Sequence, residues 1–263
     1  MGLIVVGIVL ILLSIGGFWY MQRLKLELHA MIGTDTLSLP ELADLRKIAH
    51  DLGASFTKVA EVVGAAHPNP SGPLIAELSK TECVWYRYQI ERQYEHVYYR
   101  DGRRHRTKRT EKVTDYTSQQ GYALIDPQGR TIGVDPGGTE PGGIEQTVST
   151  FEPYRGGNEG MRMFGIRLPD IFGNRDSTIG FEYKEWVIRP GRAMYILGEV
   201  HDRIGPLVIG KPEDGGHFII STRTEAELRA ARAKSHKLTA IAVIAAFVLG
   251  LGLTVAGSVV QLS

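Results

Sequence analysis

The chain has 263 residues, a formal charge of +1 and one cysteine, Cys83. That length suits one medium domain, or one domain with membrane segments. Balanced charge argues against a polyelectrolyte built for nucleic acid, and a lone cysteine excludes an internal disulfide and argues against a cysteine-based zinc site.

Leu3 to Tyr20 carries no charged side chain and is dominated by Ile, Val, Leu and Gly. About 18 such residues cross a hydrocarbon core, and Trp19 and Tyr20 fall where an interfacial aromatic belt is expected. Only Met1 and Gly2 precede the run, so there is no basic leader of the secretory type, and an uncleaved anchor is expected. Next, "SLPELADLRKIAHDLG" places Ser38 and Glu41 at capping-box spacing, with Leu39, Leu42, Leu45, Ile48 and Leu52 on one helical face. Equal numbers of acids and bases on its polar face favour packing on the domain over lying on lipid.

From Ser55 the pattern turns to strands. "FTKVAEVVGAA" is valine-rich, "HPNPSGP" reads as a loop, and "ECVWYRYQIERQYEHVYY" is the densest aromatic stretch. Cys83 reads there as a buried strand residue. Asp101-Gly102 is a hairpin-turn signal, and the return strand "RTKRTEKVTDYTSQQ" alternates threonine with charge, as a solvated face does. Short strand candidates follow in "GYALIDP", "TIGVDP", "IEQTVSTFEP", "STIGFEYKEWVI", "RAMYILGEVHD", "GPLVIG" and "HFIIST". "DPGGTEPGG" and "YRGGNEGMRMFG" read as loops. A last helix, "TEAELRAARAKSHK", runs into a second uncharged stretch, Leu238 to Leu262, long enough to span. In it Ala246/Gly250 and Gly252/Ala256 have small-xxx-small spacing.

The expected fold class is α+β, a β-rich soluble domain with a few helices between two transmembrane helices. Its expected parts are a transmembrane helix (1–22), a membrane-proximal amphipathic helix (23–53), the β-rich domain (54–223), and a short helix continuing into the second span (224–263). Arg23 and Lys25 follow the first span, and Arg229, Arg232, Lys234 and Lys237 precede the second. In a bacterial inner membrane this puts the domain on the cytoplasmic side.

Chemistry is sparse. The eight histidines are scattered, without H-E-x-x-H, C-x-x-C, a nucleophile elbow or a phosphate loop. No catalytic or metal-ligating residue and no cofactor is expected, and the adjacent His201 and Asp202 share no geometry by adjacency alone. The local excess is basic: Arg103, Arg104, Arg106, Lys108 and Arg109 surround the hairpin tip. Such a cluster suits anionic membrane lipid or an acidic protein partner of unknown identity; nucleic acid is not expected. Trp186 and Tyr195 form a candidate groove, expected to face each other across the hairpin hinged on Pro190-Gly191.

The second half carries a resemblance. "STFEP", "YKEWVIRPGRAMYILGEVHD" and "PLVIGKPEDGGHFIIST", then a short helix and a closing span, recur in the order of the GIDE-type domain, also called the beside-a-membrane (BAM) domain, of the mitochondrial ubiquitin ligase family. "PLIAELSKTECVWYRYQIE" is similar to that domain's early strands. The resemblance runs from about Leu52 to the second span. It implies a β-rich domain between two anchors, and an association with RING-type E3 ubiquitin ligases. A RING needs eight Cys or His ligands for two zinc ions, about four per ion; the sequence supplies none after the second span, so no RING residue is carried over. The expectation is a non-catalytic interaction or sensing module, with two alternatives: a part of a ligase system whose RING is on another chain, and a structural subunit of a membrane complex.

Overall fold

The computed structural model describes residues 2–154, 162–163, 166–167 and 178–262. The loop expected in "YRGGNEGMRMFG" lies largely outside the described residues. The chain divides into two compact units, Met1–Thr36 with Arg223–Ser263, and Leu37–Thr222. Its helices are α1 (Gly2–Gly33), α2 (Leu39–Asp51) and α3 (Glu225–Leu262).

The first unit pairs α1 with α3, antiparallel. Gly7 lies against Gly250 and Thr254, Gly17 against Val243, and Ile4 against Gly257. Arg232 reaches Glu27 at 3.2 Å, and Arg229 donates to the Met31 carbonyl at 2.5 Å. Glycine is required at this seam. A Cβ on Gly7 would sit 2.7 Å from the Gly250 carbonyl oxygen, and one on Gly250 would sit 2.9 Å from that of Gly7. Of the expected small-residue pairs, Ala246/Gly250 lies on the seam, whereas Gly252 has open space around it. The second seam glycine is instead Gly257, one heptad beyond Gly250. Most other apolar side chains of both helices face outward, Leu13 and Val248 among them. This is the pattern of helices solvated by lipid, not of a buried core helix. The two helices are those of a membrane protein with two spans. Each helix runs past its apolar stretch: α1 continues to Gly33, about 11 residues beyond the expected boundary, or about 17 Å.

The second unit opens on α2. Its capping box is present: Ser38 N donates to Glu41 Oε2 at 2.8 Å, and Glu41 N donates back to Ser38 Oγ. Leu39 and Leu42 are buried in the main core, so α2 packs on the domain, while Leu45, Ile48 and Leu52 remain exposed. The strands are β1 (Thr57–His67), β2 (Leu74–Ile75), β3 (Glu82–Cys83), β4 (Trp85–Arg100), β5 (Arg103–Thr117), β6 (Tyr122–Ile125), β7 (Thr131–Val134), β8 (Glu145–Pro153), β9 (Arg162–Met163), β10 (Ile166–Arg167), β11 (Thr178–Ile188), β12 (Ala193–His201), β13 (Val208–Gly210) and β14 (Ile219–Ser221).

Five of them close a ring, β1-β6-β7-β13-β12 and back to β1, with β14 sharing an edge of β12. The closing ladder is long, from Thr57↔His201 to Ala65↔Ala193, and β7 runs parallel to β13. Numbered by chain order within the ring, the strand sequence is 1-2-3-5-4. This is the connectivity of an OB-type Greek-key barrel. Alternation fills the barrel: Ala60, Val62, Tyr122, Leu124, Ile132, Val134, Met194, Ile196 and Ile209 point inward.

Two long excursions leave the ring, one between β1 and β6 and one between β7 and β12. They meet as a second sheet in the order β5-β4-β11-β8. Its anchor is Glu185, which is fully buried. Glu185 accepts from Leu78 N at 2.6 Å, Ser79 N at 2.9 Å and Thr147 Oγ1 at 3.1 Å, fixing the segment before β3 to the sheet. Cys83 is buried, as expected, and burial first, then the Glu185 charge, push its thiol up to about 12. It is an inert core residue.

Candidate functional site

The second sheet overhangs its own support. Among the described residues pairing of β11 with β4 reaches Thr178↔Tyr94, while β4 and β5 stay paired to Arg100↔Arg103. Among the described residues the six residues Glu95–Arg100 and their β5 partners form a two-stranded arm about 20 Å long. At its tip both Asp101 (φ 53°) and Gly102 (φ 71°) are left-handed, the type I′ geometry whose twist matches the strands. The Asp-Gly signal and its register are as the sequence implies. The expected one-sided exposure of the return strand is not: β5 is exposed on both faces from Arg103 to Thr110, because nothing among the described residues packs on the arm.

The register sorts the predicted basic residues. Residues directly opposed in a ladder share a face. Arg103 and Arg109 stand with Tyr94, His96, Tyr98, Arg100 and His105 on one face, and Arg104, Arg106 and Lys108 with Glu95, Val97 and Tyr99 on the other. On the first face Tyr98 stacks between His96 and His105, with ring centroids 6.2 and 5.3 Å away and planes tilted by 21° and 18°. The sequence puts His105 at the hairpin tip but does not single out this stack, although the Asp-Gly turn and a period of two suffice to place it. On the second face Arg106 reaches Glu95 at 3.4 Å. Among the described residues Arg103, Arg104, Lys108 and Arg109 have no side-chain partner. Six basic side chains against two acids over residues 94–109 make the arm a local cation.

Below the arm the charges of β4 are neutralised: at the arm's base Arg92 donates to Thr178 Oγ1 at 2.8 Å and reaches Glu111 at 3.4 Å, and Arg87 near the other end of the strand is paired as well. Arg87 donates two 2.9 Å bonds to Asp115 and reaches Glu140 at 2.5 Å. Its bonds, with help from Lys112, hold the Asp115 carboxyl down at about 2. The same guanidinium lies 5.8 Å from the centre of the Trp186 ring.

Trp186 and Tyr195 do not face each other. Although only a turn separates β11 from β12, the strands belong to different sheets: Trp186 pairs with Arg87 and Gln146, Tyr195 with Val63 and Ser221. The Tyr195 hydroxyl is buried and donates to the buried Glu61 carboxylate. The hinge holds because Ala66 of β1 takes Gly191 N on its carbonyl and gives its own N–H to Arg192. A cavity of about 410 Å³ opens beside this turn, where Arg189 and Glu145 neutralise each other through two 3.0 Å bonds.

His201 and Asp202 also diverge. Asp202 accepts from Phe56 N and sits 2.6 Å from His50 Nε2, docking α2, and the His50 bond lowers its pKa. His201 is buried, and burial, then the Arg203 charge, lower its pKa. Among the described residues no three His, Cys, Asp or Glu side chains converge as metal ligands would.

Residues 94–257 match the sequence model of a family described as "GIDE: E3 Ubiquitin ligase". No curated protein and no solved structure matches the chain.

Proposed function

For a chain that belongs to the GIDE family, we propose the function of a membrane-anchored, non-catalytic interaction module whose contact is the cationic arm. One observation carries this reading: four of the arm's basic side chains, Arg103, Arg104, Lys108 and Arg109, have no side-chain partner among the described residues, whereas the cations at its base are bonded. A guanidinium used only for folding finds a carboxylate, as Arg87 does. Cations held out on a ribbon are free to meet an anionic partner. The outer face of β6 and β7, where OB-type barrels take oligonucleotides, presents Ala123, Ile125, Thr131 and Gly133. It has no ring to stack a base and no cation, which supports a protein or lipid partner over nucleic acid. The basic flanks of the two spans support a cytoplasmic arm in a bacterial inner membrane. The family's description supports a second reading, a ligase assembly whose RING is on another chain.

The test is mass spectrometry of proteins and lipids co-extracted with the full chain in native membrane discs, beside the variant with Arg103, Arg104, Arg106, Lys108 and Arg109 all replaced by serine. A protein or anionic lipid lost from the variant is the expected result, and a RING protein among the losses would favour the second reading. Identical inventories from the two chains would refute the arm as contact.

A further inference from the structure

The arm offers backbone as well as charge. A two-residue β-turn at Asp101-Gly102 makes Arg100 and Arg103 a hydrogen-bonded pair. Hydrogen-bonded and open pairs then alternate along the ladder, so Arg103, His105, Thr107 and Arg109 spend their N–H and C=O groups on β4. Arg104, Arg106, Lys108 and Thr110 point theirs the other way, to the outer edge of β5. The register stays regular through Arg92↔Glu111, with its irregularity only beyond Glu91, so this assignment holds to Thr110. Among the described residues β5 pairs with β4 alone, leaving this edge without a strand.

The outward-facing backbone residues are also basic at three successive positions, and Arg104, Arg106 and Lys108 share one face. We propose that the edge of β5 binds an extended acidic segment of a partner protein, which adds as a fifth strand to the sheet. This rests on the arm being the contact proposed above. Main-chain bonds would hold the segment, and acids at every second residue would stand opposite Arg104, Arg106 and Lys108. The same charges exclude a second copy of β5, because an edge-to-edge pair would oppose like charges. A lipid surface satisfies the cations but not the directed N–H and C=O groups, so charge and backbone together select an acidic strand.

The experiment uses the full chain in discs of neutral lipid and a labelled peptide of alternating glutamate and threonine. Binding is expected, with new hydrogen-exchange protection at the Arg104, Arg106, Lys108 and Thr110 amides and no change at the amides between them. Thr110→Pro removes one outward donor and no charge. It should weaken the peptide about tenfold or more while leaving adsorption of phosphatidylglycerol vesicles unchanged. The five-serine variant should lose both. Peptide binding without protection at the alternate amides overturns strand addition. So does vesicle adsorption with no peptide binding, which keeps the arm as a contact but makes lipid its ligand. If the five-serine variant binds peptide and vesicles like the parent, the arm reading itself fails. Should Thr110→Pro melt the arm, seen as lost protection at His105 and Thr107, the parent's exchange pattern decides alone.

Discussion

Glu185→Ala tests whether one buried carboxylate holds the second sheet's support together. Glu185 accepts two backbone N–H groups and one hydroxyl, at 2.6, 2.9 and 3.1 Å. Bonds to a charged acceptor contribute about 1.5–3 kcal/mol each and do not add fully, so about 3 kcal/mol is a fair total for the set. The segment they hold leads directly into β3 and the chain's one cysteine. Cys83 is fully buried, so a small thiol reagent labels it only when this region opens. Loss of about 3 kcal/mol against opening raises the labelling rate of the full chain in discs about a hundredfold at fixed pH. Glu182→Ala is the control. Glu182 is half-exposed and meets Lys184 at 3.3 Å, and a surface pair of this kind should change the rate no more than about threefold. Labelling of Glu185→Ala within that control range would show that the carboxylate is dispensable, and the account of the sheet's anchoring would be wrong.

Two further perturbations test the other unit and the barrel. Gly250→Leu drives a side chain into the Gly7 carbonyl and Ile11 of α1, so it should cost about 1–3 kcal/mol of helix pairing, read as a lower thermal midpoint in discs; Gly252→Leu, on the open side, should leave it unchanged. His201 titrates below the ordinary histidine value of 6.5 in the fold. Between its folded value and 6.5 the unfolded chain therefore binds more protons, and stability falls as pH drops through that window. Denaturant midpoints on a pH series should show His201→Gln flattening this acid limb by up to about 1 kcal/mol per pH unit.

Features set by near neighbours in the chain were legible. The Ser38/Glu41 capping box, the Asp101-Gly102 turn and the unbroken run from Glu225 through the second span each depend on residues a few positions apart. Features set by distant partners were not. β11 and β12 read as one hairpin because Pro190-Gly191 separates two apolar runs, but they form ladders with β4 and β1, more than about 80 residues upstream. The glycine seam was half legible for the same reason: Gly250 matters because Gly7 lies opposite, and spacing within α3 cannot show that. At the arm, composition gave the cations and the turn. That β5 is exposed on both faces from Arg103 to Thr110 depends on what the rest of the sheet packs against, which periodicity in β5 does not contain.

The family match and the folding unit also differ in extent, for a physical reason. The match begins at residue 94, inside β4 and after all of β1. Yet β1 contributes the longest ladder in the barrel, nine residue pairs with β12, and its carbonyls and amides fix the Pro190-Gly191 hinge. A piece starting at residue 94 would leave one edge of β12 unpaired along its length and remove Ala60, Val62 and Ala66 from the core. It would also remove residues 85–93, the part of β4 that leads into the arm. A closed barrel has no edge to expose, so the smallest stretch that keeps the ring shut with α2 in place is Leu37–Thr222. Strand β1 can escape a sequence match because a valine-rich alternating run is asked only to be small and apolar on one face, a demand many sequences meet. The ring therefore constrains β1 through pairing, while the hairpin and its hinge, where side chains and turn residues are specific, carry the recognisable sequence.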